Sequence, residues 1–254
     1  MEEMDLNLTG RVALVTGGSH GLGKAVARAM AEKNARVIVC ARKQEGLDEI
    51  VEEFRRHRLE LAAYSADVGE NEQVTALFEN IRQDFGRLDI LVNNVGTNIF
   101  TPSVAEATEE LWDKTMQSSL KSAFLTSAGA VPLMKGQGGG RIINMSSIAA
   151  RKAAPGMGLY CIAKAGLEML TKVLAVELAG GNINVNAVAP GMIRTRFSKP
   201  LWSNEKMLKD YLQRVPMGRI AETSEVVGAV LFLASGLSDY ITGEIITVDG
   251  GSMA

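Results

Sequence analysis

The sequence predicts an α/β fold: a doubly wound parallel sheet with helices on both faces. Three observations carry that expectation. Short apolar runs of strand length alternate with amphipathic helical patterns along the whole chain. A glycine-rich turn, Thr16-Gly17-Gly18-Ser19-His20-Gly21-Leu22-Gly23, joins the first run to the first helical pattern. Residue types that carry chemistry fall at or just past the C-terminal ends of the runs, the edge where such sheets bind ligands.

In order, Val12 to Val15 reads as a buried strand and Leu22 to about Lys33 as a helix. Arg36 to Ala41 is a second strand. Gln44 to about Arg56 is a helix with Leu47, Ile50, Val51 and Phe54 on one face. Leu61 to Ala66 is a third strand ending at Asp67, and Glu70 to Phe85 a helix with Val74, Leu77, Phe78 and Ile81 inward. The fourth strand, Leu88 to Val92, leads into Asn93-Asn94-Val95-Gly96. One long helix is expected from about Glu109 to Lys135, then a flexible turn through Gly140 and a fifth strand from Arg141 to Ser146. A helix begins near Gly158 and runs to about Ala179. Ile183 to Ala189 is a sixth strand, stopped by Pro190-Gly191. Residues 192 to 215 are irregular and partly helical, with Ser203 as an N-cap. Ser224 to Ala234 is a final helix and Ile245 to Val248 a final strand. Right-handed crossovers place the strand C-termini along one edge. No short repeat and no second domain interrupts the pattern, so residues 1–254 are expected as one domain.

Composition narrows the function. Of 254 residues, 46% are hydrophobic, enough for a sizeable core, and the formal charge of −2 gives no reason to expect nucleic acid or an anionic membrane as partner. Cys40 and Cys161 form no disulfide or zinc pattern, and with only His20 and His57 a histidine metal centre is not expected. The stretch MEEMDLNLTG is acidic without an apolar signal-peptide core, and no apolar run approaches a membrane span. The expectation is a cytoplasmic protein.

Strand, glycine turn and helix together make a phosphate site. Glycines let the backbone approach a pyrophosphate, and the free N–H groups of the helix N-terminus point at it. Tyr160 and Lys164 are one helical turn apart and share a face. An ammonium beside a phenol favours the phenolate, so Tyr160 is expected with a lowered pKa, as a general acid or base. Ser146 and Ser147 end the preceding strand, where a hydroxyl can donate to a substrate carbonyl. A cap or turn serine is the alternative there.

With these motifs in order, the chain resembles the short-chain dehydrogenase/reductase family over nearly its full length. The resemblance is carried by TGGSHGLG at 16–23, DV at 67–68, NNVG at 93–96, SS at 146–147, YCIAK at 160–164, PG at 190–191 and ITGEIITVDGG at 241–251. It implies a single Rossmann-type domain with about seven parallel strands, and hydride transfer between a nicotinamide cofactor and an alcohol or carbonyl. By the same resemblance Tyr160 is the acid/base, and Lys164 binds the nicotinamide ribose and assists Tyr160. Ser147 orients the carbonyl in preference to Ser146. Relatives commonly carry an asparagine that supports a water relay to the lysine; here Ser119 stands at that place. It is either a relay with a shorter reach or a small packing residue. A homotetramer is also expected, from the long helices rich in small or apolar residues, the apolar segment Ile241 to Gly251 and the resemblance itself.

Within that fold an acidic residue roughly 20 positions past the glycines would hold the ribose hydroxyls of NAD. No carboxylate stands there; Arg42 and Lys43 follow the second strand at once. A guanidinium can bind a 2′-phosphate in bidentate fashion, and Ser19 and His20 can add hydrogen bonds. NADP(H) is therefore favoured over NAD(H). Gly17, Gly21, Leu22 and Gly23 are expected at the pyrophosphate, Asp67 and Val68 at the adenine, and Asn94 and Gly96 beside the adenosine ribose. Ile193 and Thr195 belong near the nicotinamide carboxamide, with Val95, Pro190 and Gly191 among the cofactor-contacting residues. Residues 192–215 carry Phe197, Leu201, Trp202, Met207 and Tyr211 and are expected as a substrate-covering lid, or as packing on the domain or a subunit contact. As a lid they imply a ketone or secondary alcohol with an apolar body, and Arg194 and Arg196 could hold an anionic tail or a cofactor phosphate. The alternatives are a sugar-acid dehydrogenase of the gluconate 5-dehydrogenase type and a catalytically impaired cofactor-binding subunit.

Overall fold

The computed structural model describes residues 6–97 and 99–254. Residues 1–5, on which part of the signal-peptide reading rests, lie outside the described residues. Seven strands form one sheet: β1 (Val12–Thr16), β2 (Arg36–Ala41), β3 (Leu61–Ser65), β4 (Ile90–Asn93), β5 (Gly140–Met145), β6 (Ile183–Pro190) and β7 (Ile245–Val248). Their order is β3-β2-β1-β4-β5-β6-β7, and every ladder is parallel. The winding direction reverses between β1 and β4, which opens a crevice at their C-terminal ends.

Helices α1 (Gly21–Glu32), α2 (Gln44–Arg56), α3 (Asn71–Phe85), α4 (Glu109–Met116), α5 (Ser122–Gly136), α6 (Gly158–Leu178), α7 (Lys199–Trp202), α8 (Glu205–Leu212) and α9 (Thr223–Ala234) complete the fold. The sheet separates two apolar layers. Because successive strand residues face opposite ways, Ala13 and Val15 of β1 pack in the layer containing Val26 and Met30 of α1 and Val226 and Val230 of α9. Val12 and Leu14 pack in the layer with Leu77 and Ile81 of α3, Met134 of α5 and Ala175 of α6. Burying each such large side chain contributes about 1.5–3 kcal/mol.

Two polar features run through this apolar body. At the N-terminal edge, the buried Asp89 carboxylate accepts from Val12 N at 2.9 Å, Arg87 Nη2 at 2.7 Å and Arg11 Nη1 at 3.1 Å. Burial opposes its charge, but these donors outweigh it and hold the carboxyl below the ordinary carboxylate range. Inside the sheet, Asn93 Nδ2 of β4 donates to Asn144 Oδ1 of β5 at 2.9 Å. Asn144 Nδ2 then donates to Thr171 Oγ1 of α6 at 2.9 Å, and Thr126 Oγ1 of α5 to Asn93 Oδ1 at 2.6 Å. This ladder satisfies amides that would be costly if left bare.

Strand and helix limits follow the sequence pattern to within two residues, with three differences. The single long helix is α4 and α5 joined by a π-turn at Gln117–Lys121. Side-chain hydroxyls accompany the widened turn: Ser118 Oγ donates to Thr115 O and Ser122 Oγ to Ser118 O at 2.7 Å. The fourth strand starts at Ile90, because Leu88 N donates to Gln137 Oε1 instead of entering the ladder. The cap of α8 is Asn204, not Ser203, since the Asn204 carboxamide oxygen accepts from Met207 N at 3.0 Å. Among the described residues no helix is long and apolar enough to cross a membrane.

Candidate active site

The site is built from the strand ends upward. Gly17 leaves β1 in the left-handed region, at φ +63°, while its N–H donates to Cys40 O at 2.9 Å. A Cβ on Gly17 would sit 3.2 Å from Asn94 Nδ2, and one on Gly23 would sit 2.5 Å from both Asn94 Nδ2 and Gly17 O. No side chain fits at Gly23 without moving the turn. Gly18, which the sequence reading passed over, has Val39 Cγ1 2.5 Å from where a Cβ would be. Gly21 is different: at φ +57° it faces open space. His20 precedes α1 in extended conformation without a side-chain cap bond, leaving the first-turn N–H groups of Gly21, Leu22 and Gly23 for a ligand. Orphan donors, positive helix end and an open face fit a pyrophosphate.

Asn94 braces this turn. Its Nδ2 donates to Thr16 O at 3.0 Å and Gly17 O at 3.3 Å, and Thr16 Oγ1 accepts from Asn94 N at 3.0 Å and Val95 N at 3.3 Å. The Asn94 amide, expected beside a ribose, is thus committed to the main chain. Thr16 is a second residue the sequence reading did not single out. Along the same edge Arg42 is exposed, with Nη1 3.9 Å from Asp67 Oδ2. Lys43 is exposed beside it at the start of α2. Asp67 Oδ1 accepts from Gly69 N at 3.0 Å, and Val68 is buried. Ser19 Oγ is hydrogen-bonded to His20 Nδ1 at 2.9 Å.

Tyr160 and Lys164 sit in the first turns of α6 and are only 6% and 3% exposed. Lys164 Nζ lies 5.6 Å from the Tyr160 ring centroid and donates to Met145 O, at the end of β5, at 2.6 Å. Burial pushes the Lys164 ammonium down to about 8. Burial likewise pushes the Tyr160 phenol up to about 12, opposed by the nearby Ser147 hydroxyl and reinforced by Cys161. This corrects the expected lowering: desolvation outweighs the adjacent amine, whose hydrogen bond goes to a carbonyl instead of the phenol. Tyr160 therefore holds its proton at neutral pH, as a general acid must.

Ser147 faces this phenol and also caps a 3-10 turn, accepting from Ala149 N at 3.2 Å. Ser146 is engaged elsewhere: its Oγ donates to Glu168 Oε1 at 3.1 Å, and Glu168 Oε2 accepts from Arg151 Nε at 3.0 Å. Ser119 is buried on the π-turn, accepting from Thr97 N at 3.2 Å. A Cβ on Gly96 would lie 3.4 Å from Lys164 Nζ and 3.6 Å from Ser119 Oγ. Both groups therefore lie beside the same face of Gly96, within ordinary van der Waals reach of a Cβ there.

Past Pro190, a Cβ on Gly191 would meet Tyr211 Oη at 2.9 Å and Asp249 Cα at 3.1 Å. Ile193 is buried and bridges to Ala221. Thr195 Oγ1 pairs with Ser198 Oγ at 3.1 Å, and Trp202 Nε1 donates to Thr195 O at 3.1 Å. Phe197 brings its ring to 6.0 Å from that of Tyr160. The glycine turn, the Tyr160, Lys164 and Ser147 group and the 192–215 segment thus share one edge of the sheet.

Comparison with known proteins accounts for this arrangement. A family model described as enoyl-(acyl carrier protein) reductase matches residues 17–253. Dehydrogenase/reductase SDR family member 4 of Homo sapiens is 39% identical, the match covering 96% of this chain and 88% of the relative. The 3-oxoacyl-acyl-carrier-protein reductase of Thermotoga maritima is 39% identical over 97% of this chain and 99% of its own. Among solved structures, a gluconate 5-dehydrogenase from Burkholderia cenocepacia in complex with NADP and tartrate superimposes with a TM-score of 0.94, at 31% identity, covering 98% of this chain and 97% of that one. The chain belongs to the short-chain dehydrogenase/reductase family and is an oxidoreductase with its Rossmann-like fold.

Proposed function

We propose that this protein is an NADP(H)-dependent reductase of ketones with an apolar body, running in reverse on the corresponding secondary alcohols. The observation that carries the reading is the buried Tyr160 phenol between Ser147 and Lys164, its pKa pushed up by that burial, on the edge that holds the glycine turn. A nicotinamide bound along that edge would supply the hydride. Tyr160 gives its proton to the developing alkoxide oxygen, and Ser147 donates a hydrogen bond to the same oxygen. Lys164, fixed by Met145 O, holds the ribose and places positive charge beside the phenol as its proton leaves. Ser119 supports a water in the space beside Gly96, through which Tyr160 regains a proton.

Cofactor choice in this reading rests on Arg42 and Lys43, exposed just past β2, whose end carries no carboxylate, and on the NADP carried by the Burkholderia cenocepacia neighbour. Substrate choice rests on Phe197, Trp202 and Met207 in the segment 192–215, which we read as a lid that closes on the substrate and excludes water. Those side chains favour an apolar body over the polyol of a gluconate-type substrate. A homotetramer is part of the proposal. On α6, Ile162, Met169, Val173 and Val176 are exposed at helical spacing, Val176 to 83%, and an apolar stripe of that kind needs a partner.

The experiment is cofactor oxidation, followed by absorbance, with a panel of aryl and alkyl ketones and with NADPH or NADH. Turnover with NADPH that is abolished in Tyr160→Phe supports the reading. Turnover kept in that variant, or full activity with NADH alone, rejects the corresponding part. A monomer mass by light scattering at micromolar concentration rejects the tetramer.

A further inference from the structure

Glu168 is a buried carboxylate with no direct part in the hydride and proton transfers. Taking a carboxylate out of water is costly unless partners compensate it, so the partners it has gathered are informative. Tyr160, Lys164 and Glu168 follow one another at four-residue spacing on α6, and all three are buried. The face that presents the phenol and the ammonium thus presents this carboxylate one turn further along.

Its two oxygens go to the two ends of a single turn. Oε1 accepts from Ser146 Oγ at 3.1 Å, and Oε2 accepts from Arg151 Nε at 3.0 Å. Between those two residues lie Ser147 and the 3-10 turn Ile148–Ala150 that it caps. The turn closes on itself, with Ala150 N donating to Ser147 O at 3.0 Å and Arg151 N to Ile148 O at 3.1 Å. Arg151 is also held by β7: its Nη1 donates to Thr247 Oγ1 at 3.0 Å and its Nη2 to Ile245 O at 3.4 Å. Ser147 Oγ accepts from Ala149 N at 3.2 Å, a bond inside the turn, and faces Tyr160. Bonds inside the turn set its shape, whereas bonds that leave it set its place against α6. The Glu168 carboxylate supplies such bonds at both ends.

We infer that Glu168 and Arg151 are positioning residues, which together fix the Ser147 hydroxyl beside the Tyr160 phenol. The inference rests on the ketone reduction proposed above, in which those two hydroxyls meet the same substrate oxygen. A carboxylate suits the task because it accepts on both oxygens. Glutamine can still span the turn, its oxygen taking Arg151 and its amide donating to the Ser146 hydroxyl, but without the charge that pairs with the guanidinium. Methionine, of similar length, can do neither.

Single turnovers with enzyme in excess test this, following NADPH oxidation with the aryl or alkyl ketone of the panel above that the unaltered protein reduces fastest. Glu168→Met should slow reduction about ten- to hundredfold, the scale of a misplaced reacting group, and Glu168→Gln should keep part of the rate. Fluorescence titration should show NADPH affinity nearly unchanged in both. In a Ser147→Ala background, Glu168→Met should cost less than about twofold more, since a residue that works through Ser147 has nothing left to place. A merely structural role would lower the rate equally in both backgrounds. Arg151→Met and Ser146→Ala each release one end of the turn and should show the same dependence on Ser147 at smaller size, so the test stands even where Glu168→Met fails to fold. A full rate in these variants, or a loss that persists undiminished without Ser147, overturns the inference. Where the unaltered protein reduces no ketone, the proposed function fails, and crystal structures of the NADP+-loaded unaltered and Glu168→Met proteins decide the positioning separately. Ser147 Oγ displaced from Tyr160 Oη, with Lys164 still on Met145 O, supports it; Ser147 unmoved refutes it.

Discussion

Lys164 Nζ donates to the Met145 carbonyl at 2.6 Å, so the ammonium of α6 is anchored to the end of β5 before any ligand is considered. The bond aims a flexible side chain at one point of the cleft. It also leaves the amine in a buried place where its charge is costly, which is why its pKa lies near 8.

A pH dependence follows from that burial. Below about 8 Lys164 is charged, and above it the charge is lost while the phenol, near 12, keeps its proton. Ketone reduction should therefore fall as pH rises through about 8, seen as the upper limb of kcat/KM for the free enzyme. Lys164→Arg keeps its charge across that range and should move the limb to higher pH, whatever its rate. An unmoved limb would assign it to another group. The sign for folding is opposite: between about 8 and 10.5 the unfolded lysine binds the proton that the folded one has lost, so this residue's contribution to stability rises with pH.

Arg42→Ala should weaken NADPH by about ten- to hundredfold, the worth of a hydrogen bond to a charged group, and leave NADH nearly unaffected. Fluorescence titration of both cofactors checks this. Equal losses would mean that Arg42 supports the loop through Asp67, 3.9 Å away, without reading the 2′-phosphate.

The segment 192–215 is stitched internally, with Trp202 Nε1 on Thr195 O and Tyr211 Oη accepting from Met192 N at 2.8 Å. It should move as one piece. Hydrogen exchange with NADPH and a ketone analogue should then slow across α7 and α8 together, and Trp202→Ala should raise KM for a bulky ketone severalfold. Unchanged protection together with normal kinetics in that variant would leave it as static packing.

Asp89→Asn should destabilise the fold by about 2 kcal/mol, the worth of charge-assisted hydrogen bonding to this buried carboxylate, since the half-exposed Arg87 and Arg11 keep their solvent. Chemical denaturation measures it. With its folded pKa below the ordinary value, the Asp89 contribution is present above about pH 4 and lost as pH falls through the folded value. The acid limb of stability should therefore be shallower in the variant.

Much of this architecture was legible in the sequence because its signals are local. Apolar runs of strand length and helical faces at 3.6-residue spacing gave all seven strands, and one-turn spacing placed Tyr160 beside Lys164. What escaped depends on contacts between distant segments. The π-turn accompanies the bonding of Ser119 to Thr97, 22 positions away, which no periodicity reports. The direction of the Tyr160 shift was misread because spacing reveals a neighbour but not the dryness around it. The bracing of the glycine turn by Asn94, and the diversion of Ser146 to Glu168, likewise exist only once β1, β4, β5 and α6 are side by side.

The amide ladder from Asn93 through Asn144 to Thr171 has a consequence for how new specificities can arise in this chain. It pins β4, β5 and α6 to one another by buried side chains, so the spacing between the glycine turn and the Tyr160 helix tolerates little drift. The segment between Gly191 and Ile220 lies outside that clamp, seamed to the rest of the chain where Ile193 meets Ala221 and where Met217 N donates to Gly250 O, just past β7, at 3.2 Å. Transplanting a foreign segment between those two seams should redirect the enzyme to other substrates while hydride and proton transfer keep their alignment.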